Sequence, residues 1–144
     1  MKVDSVTPVL NVSDVVASLE WFEALGWARS FTWNDAGQIE GAKDRNDSGL
    51  AEFAGVCAGD AQIFLCLDGQ GGRAGPRPMP PGAIEGTWMS WWIVSQAELD
   101  RIHALCLELG HDVPDAPINE PWGVREFHLK HPDGHVFRVS CGIG

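Results

Sequence analysis

Three histidines near the end of the chain are the first candidates for metal chemistry: His128, His131 and His135. Their spacing matches neither a histidine pair on one helix face nor a zinc finger. A Pro-Asp-Gly turn at residues 132–134 separates the last two, and such a turn joins two strands. We therefore expect surface or turn roles for these three histidines, and structural roles for the isolated His103 and His111.

Nucleophilic catalysis and phosphate binding find no support in the sequence. No Ser lies in a nucleophile elbow, and the glycine-rich residues 69–75 lack the Gly-Lys-Ser/Thr end of a phosphate loop. Four cysteines share no CxxC spacing: Cys57, Cys66, Cys106 and Cys141. We expect free, mostly buried thiols in a reducing cytoplasm, because a chain of this length builds a core without disulfides. We see no signal peptide and no apolar run of membrane-spanning length, so no membrane partner is expected.

Aromatic residues and charge indicate the kind of ligand. The 144 residues include seven Trp, six Phe and no Tyr, and the formal net charge is −10. Twenty acidic residues against ten basic ones, with no cluster of Lys or Arg, argue against a nucleic-acid partner and favour cationic ligands. An apolar share of 44% with 21% charged residues is typical of one globular domain. The surplus tryptophans are therefore candidates for stacking on a ligand.

The hydrophobic period of the first half predicts one helix among four strands. Residues 6–12 predict a strand, and residues 14–25 predict a helix that Ser13 or Asp14 caps and Gly26 ends. A polar loop is expected at residues 35–49. The three remaining strands are predicted at residues 28–34, 50–57 and 61–67.

The second half repeats this order. Residues 87–94 predict a strand, and Ser95 with Glu98 forms a capping box at the start of a helix that runs to Leu109. Further strands are predicted at residues 111–116, 124–130 and 135–141. The Gly- and Pro-rich residues 68–86 between the halves predict either a passive connector or a flap over a cavity. The fold class is therefore α+β, with unit one at residues 1–67 and unit two at residues 87–144.

This organisation resembles the vicinal oxygen chelate superfamily, which includes glyoxalase I, extradiol dioxygenases and bleomycin resistance proteins. The bleomycin resistance branch is the most similar. The resemblance covers residues 6–140 and implies one domain, residues 1–144, whose two βαβββ units form a cupped mixed sheet with the helices on its outer face. The segments that carry it are PVLNVSD at 8–14, EWF at 20–22, LGW at 25–27, PWGVREF at 121–127 and HPDGH at 131–135.

Metal-dependent members of the superfamily place ligands on the first and last strands of each unit. Here those positions fall on Thr7, Met89 and Arg138, and the remaining strand, residues 61–67, offers only Gln62. A divalent ion needs oxygen or imidazole donors. We therefore expect no metal, no cofactor and no catalytic residue. The alternative is a metal-dependent lyase, isomerase or dioxygenase of the same superfamily.

The resemblance also implies where a ligand binds. Because Met89 occupies a family ligand position, strand alternation predicts that Met89 and Trp91 line the cup and that Trp92 lies in the core. Trp122 matches a Trp on which drug-binding members stack a planar ligand. Arg138 is expected either to pair with Glu126 or to anchor a ligand. The candidate site residues are Asn11, Phe31, Trp33, Met89, Trp91, Trp122 and Arg138.

The remaining tryptophans receive other roles. Trp21 and Trp27 are expected in helix–sheet packing, and Trp88 has no assigned role. The function implied by the resemblance is metal-independent binding and sequestration of a small aromatic or cationic organic molecule, as in antibiotic resistance. A cytoplasmic homodimer with clefts at the subunit interface is expected on the same ground.

Overall fold

A computed structural model describes residues 1–34, 37–38, 51–67 and 86–144. The chain forms two compact units, Met1–Pro78 and Met79–Gly144. Each unit has its own sheet and its own helix. Two predicted segments lie largely outside the described residues: most of the loop at residues 35–49 and nearly all of the connector at residues 68–86. The prediction that this connector is either passive or a flap therefore also falls outside the described residues.

The first unit has the predicted order of strand, helix and further strands. Its sheet runs β1-β5-β4-β2-β3, with β1 parallel to β5 and the other pairs antiparallel. The two-residue strand β3, which pairs with β2, falls inside the predicted polar loop. The elements are β1 (Val9–Val12), α1 (Val15–Ala24), β2 (Ala28–Asn34), β3 (Gly37–Gln38), β4 (Phe53–Ala58) and β5 (Ala61–Leu67).

The helix α1 covers one face of this sheet. Asp14 caps it by accepting a hydrogen bond from the Ala17 N–H at 2.9 Å, which confirms one of the two predicted caps. The buried Phe22 lies edge-on to Trp21 and Trp27, and the packing of these two indoles between helix and sheet stays a prediction. The apolar side chains of the sheet that are fully buried on this helix face are Leu10, Val12, Ala54, Val56 and Leu65.

The second unit repeats the order and has a four-stranded sheet, β6-β9-β8-β7, in which β6 is parallel to β9. The strand predicted at residues 111–116 is wrong: only Asp112 makes an isolated bridge, and the strand lies further on. Pro114 and Pro117 lack the amide hydrogen that a continuous ladder needs there. The elements are β6 (Trp88–Trp92), α2 (Gln96–Glu108), β7 (Ile118–Asn119), β8 (Val124–Lys130) and β9 (Val136–Gly142).

The helix α2 covers the core face of the second sheet. Its cap is confirmed, because the Ser95 hydroxyl accepts the Glu98 N–H at 3.2 Å. On the sheet, His103 of α2 packs edge-on against Phe127, which identifies the helix face. The fully buried side chains on that face are Phe127, Leu129, Phe137 and Val139.

Two of the C-terminal histidines stabilise the turn between β8 and β9. His135 Nδ1 accepts the Thr87 N–H at 2.9 Å, which ties the residue before β6 to this turn. His131 Nδ1 accepts the Asp133 N–H at 3.0 Å. The turn role is as expected, but both rings are buried, with 3% and 1% of their surface exposed, so a surface position is wrong for these two.

Gly86 lies against the same turn, and its replacement tests that packing. A Cβ at Gly86 would lie 2.6 Å from the Gly134 carbonyl oxygen, and its φ of +114° disfavours any side chain. Gly110 also has a positive φ, +72°, but a Cβ there meets nothing within 4 Å. We expect Gly86→Ala to lower the free energy of unfolding by about 2–3 kcal/mol and Gly110→Ala by about 1 kcal/mol. Urea denaturation of both variants measures the difference, and equal losses would contradict the packing described.

Candidate functional site

A groove of about 520 Å³ lies on the second sheet, on the face opposite α2. Register places its strand residues side by side: His128 pairs with Arg138, and Trp88 of β6 borders β9 at Val136. Side chains of paired residues project to the same face, so these groups converge on one cavity. The residues that line it are Trp88, Glu120, Trp122, Glu126, His128 and Arg138.

Two exposed indoles form the aromatic part of the groove. Trp88 and Trp122 have 69% and 62% of their surface exposed, which is unusual for large apolar side chains. Trp122 is held outward by the tight turn before β8, where Gly123 takes a φ of +89° and donates its N–H to the Glu120 carbonyl at 3.1 Å. Both rings therefore present apolar surface on which a planar molecule can stack.

The floor of the groove is an ion pair with a buried carboxylate. Glu126, only 4% exposed, accepts hydrogen bonds at 2.6 Å from both Nε and Nη2 of Arg138. The Ser140 hydroxyl donates to the same carboxylate oxygen at 3.2 Å. The expected pairing of Arg138 with Glu126 is therefore present, and Arg138 lines the cavity as well. The two sequence-based alternatives for this residue are compatible.

A second charged pair borders the groove at His128. Its ring Nδ1 lies 2.8 Å from Asp115 Oδ2, and its backbone N–H donates to Asp115 Oδ1 at 2.8 Å. Among the described residues, the carboxylates of Asp115, Glu120 and Glu126 in the groove and at its border outnumber the cationic side chains of Arg138 and Lys130. This balance favours a cationic ligand.

The structure corrects the face assigned to β6. Met89 pairs with Phe137, and Trp91 stacks on the Phe137 ring at a centroid distance of 4.4 Å, so both lie on the helix face. The expected cavity position of Met89 and Trp91 is wrong. The expected core position of Trp92 is also wrong, because that side chain is 67% exposed on the opposite face.

Met89 was assigned to the wrong face because the strand position equivalent to Thr7 was placed one residue too far along the second unit. The observed helix caps are Asp14 and Ser95, and the position seven residues before each cap is Thr7 in the first unit and Trp88 in the second. Met89 lies one residue too far along, and one residue on a strand moves a side chain to the other face. Counting back from the two caps would have identified Trp88 from the sequence.

The candidate residues of the first unit share the face opposite α1. Phe31 and Trp33 alternate with the buried Thr32, and Asn11 of β1 lies on the same face as these two rings. Phe31 belongs to an aromatic cluster with Phe53 at 5.7 Å and Phe64 at 5.3 Å. The members from β4 and β5 were missed because only strand register brings them beside Phe31.

The superfamily's metal positions do not suit a divalent ion in this chain. Arg138 is cationic and bound to Glu126, and the second-unit position that corresponds to Thr7 is the indole of Trp88 rather than Met89. Thr7 and Gln62 are weak donors at best. Within the described ranges, no group of three or more His, Cys, Asp or Glu side chains is arranged to hold a metal ion.

The cysteines supply no nucleophile to the site. All four are free thiols, and three of them are buried, as predicted. Burial raises the pKa of the Cys106 thiol to about 11, so it stays protonated and unreactive at neutral pH.

No helix in the described part of the chain is long and apolar enough to cross a membrane.

Comparisons with solved structures agree with the predicted fold. TioX from Micromonospora sp. ML1 superposes with a TM-score of 0.68 at 13% identity, over 96% of this chain and all (100%) of that one. A glyoxalase/bleomycin resistance protein/dioxygenase superfamily member from Sphaerobacter thermophilus gives 0.67 at 20% identity, over 96% and 98%. A bleomycin-binding protein complexed with bleomycin gives 0.62 at 18% identity, over 97% and 99%.

These likenesses confirm the predicted resemblance at the level of the fold. The solved structures that share it include members of the glyoxalase/bleomycin resistance protein/dioxygenase superfamily and proteins that bind bleomycin. By sequence, the chain matches no family model and no curated protein. The fold therefore defines the class of structure, and the function has to be argued from the groove.

Proposed function

We propose that this protein binds a small planar aromatic molecule, preferably a cation, in the groove of the second unit, without using a metal ion. The observation that carries the proposal is the pair of exposed indoles, Trp88 and Trp122, beside the buried Glu126–Arg138 pair. An apolar cavity with a few converging polar groups is the usual form of a small-molecule site.

The free energy of aromatic stacking can be compared with the total free energy that micromolar binding requires. Each aromatic stack contributes about 0.5–1.5 kcal/mol beyond the burial of apolar area, and micromolar affinity corresponds to about 8 kcal/mol. Two stacks therefore do not suffice, and most of the affinity has to come from burying the apolar surface of the ligand. The carboxylate excess of the groove adds attraction for a cation and speeds its approach.

The biological role that we propose is sequestration of a toxic organic molecule such as an antibiotic. One solved structure of this fold is a bleomycin-binding protein complexed with bleomycin, and another is a bleomycin resistance determinant. The same resemblance supports a cytoplasmic protein and a homodimer with ligand clefts at the subunit interface, and both belong to the proposal.

Tryptophan fluorescence titration tests the proposal. We expect the planar cation proflavine to quench the fluorescence saturably and an anthracene carboxylate of similar size to bind more weakly. Trp122→Ala and Trp88→Ala should each weaken proflavine binding by about tenfold, because each removes a stacking surface and its buried area. Trp21→Phe, on the helix α1 of the first unit, is the matched control and should leave the affinity unchanged.

The titration is repeated after dialysis against EDTA. An unchanged affinity supports metal independence, and a loss that nickel, zinc or iron restores would favour the metal-dependent alternative. Absence of saturable quenching, or equal effects of Trp122→Ala and Trp21→Phe, would contradict a ligand site in this groove.

A further inference from the structure

We infer that the groove is also a proton-transfer site, in which His128, oriented by Asp115, acts as a general base toward a planar aromatic carbon acid. This inference rests on the proposed function, because the two indoles have to hold the substrate. It adds an activity to the binding that the fold comparisons support, and it needs only side chains of the second unit.

Asp115 orients the imidazole of His128. Asp115 accepts the backbone N–H of His128 through Oδ1 and faces the ring Nδ1 through Oδ2, both at 2.8 Å. One carboxylate bound at two points of the same residue fixes both the ring and its tautomer, with the proton on Nδ1. Nε2 then carries a lone pair, and the ring lines the groove. A histidine held by a carboxylate in this way is the usual arrangement of a general base.

A carbon acid develops negative charge when it loses its proton, and a cationic donor beside the base stabilises that charge. Arg138 lies directly opposite His128 in the strand register. Its Nε and Nη2 bind Glu126, but a guanidinium has five N–H donors, so donors remain for an oxyanion in the groove. Proton acceptor and positive charge therefore lie on neighbouring strands and face the same cavity.

The proton balance involves no further reactant. His128 Nε2 takes a proton from a C–H bond, and the electron pair of that bond stays on the substrate, where it moves onto an oxygen beside Arg138. The imidazolium is stabilised by Asp115 and can return its proton to another position, which makes the reaction an isomerisation. Among the described residues, the charged side chains on this face around the imidazole, from the segments flanking β7 and from β8 and β9, are Asp112, Asp115, Glu120, Glu126, Lys130 and Arg138.

A nitrobenzisoxazole is the probe for this experiment, because it is a planar aromatic carbon acid whose ring opening is coloured. The base removes the ring C–H proton, the C–H electron pair completes a nitrile, and the N–O bond breaks to leave a phenolate. We expect the whole chain to accelerate this ring opening over imidazole buffer at the same pH. His128→Gln should lower the rate by about 100-fold.

Two further variants separate chemistry from folding. Asp115→Asn should lower kcat for the ring opening by about tenfold with little change in KM, because the imidazole loses the acceptor that orients it while the indoles that hold the probe remain. A purely structural Asp115 would change kcat and KM together, and Asp115→Glu, which keeps a carboxylate, should recover part of the lost rate. His103→Gln is the matched control, since this ring packs on Phe127 on the helix face and should keep the wild-type rate.

The results also separate this inference from the proposed function. If the probe quenches the tryptophans saturably but His128→Gln keeps the wild-type rate, or if the protein is no faster than buffer, the general base is overturned while the binding site stands. If no quenching occurs and no ring opening is seen, both fail. Circular dichroism and thermal melting of each variant establish that the compared chains are folded.

Discussion

Phe137→Ala is expected to lower the free energy of unfolding by about 3–5 kcal/mol, the largest effect that we expect of a single substitution. Phe137 is fully buried at the centre of β9, between β6 and β8, and its ring stacks on Trp91 at 4.4 Å and borders His131 at 6.5 Å. Removing the ring leaves a cavity that strands on both sides prevent from closing, so the transfer and cavity contributions add.

Two control variants make this result specific. Phe137→Leu retains most of the volume and should cost about 1 kcal/mol. Phe31→Ala removes a half-buried ring from the face opposite α1 and should cost less than Phe137→Ala, because water already reaches that ring. Urea denaturation followed by circular dichroism measures all three. A similar loss for Phe137→Ala and Phe31→Ala would show that the helix face of β9 is not the centre of a core.

The stability of the protein is expected to fall as the pH is lowered from about 6.5 to about 4, with His131 as a main cause. Burial lowers the pKa of His131 to about 4, and the nearby imidazoles of His135 and His111 act in the same direction, while Asp133 opposes them. A histidine in the unfolded chain has a pKa of about 6.5. Between these values the unfolded state binds the proton and the folded state does not, so stability rises with pH across this window.

The size of this loss of stability follows from the difference between the pKa of His131 in the folded and in the unfolded state. One pKa unit corresponds to about 1.4 kcal/mol, so His131 accounts for a loss of about 3 kcal/mol once the pH has fallen to about 4. His131→Asn keeps an acceptor for the Asp133 N–H but has no imidazole to protonate. Unfolding free energies at pH 4, 5, 6 and 7 should therefore depend less on pH in the variant. An identical slope in both proteins would assign the acid sensitivity to other groups.

Local signals in the sequence determined the order of elements correctly. Helix caps at Asp14 and Ser95, glycines after both helices, and short apolar runs each act over a few residues, so they can be interpreted without knowing what packs against them. The same holds for the Pro-Asp-Gly turn before β9. The two βαβββ units could therefore be predicted, apart from the short strand β3 inside the predicted loop and the strand that Pro114 and Pro117 displaced.

The groove depends on interactions that no local signal contains. Trp122 and Arg138 were identified through motifs, and counting back from the Ser95 cap reaches Trp88, but the His128–Asp115 pair depends on which face of a strand is covered by a helix. That choice is made by register between segments far apart in the chain, such as β6 against β9, where a shift of one residue exchanges the two faces. The sequence by itself determined that two duplicated units with surplus tryptophans exist. Only the tertiary structure decided that Trp88 and Trp122 line one groove and that Trp91 lies on the helix face, because the stacking of Trp91 on the buried Phe137 selects one face of β6.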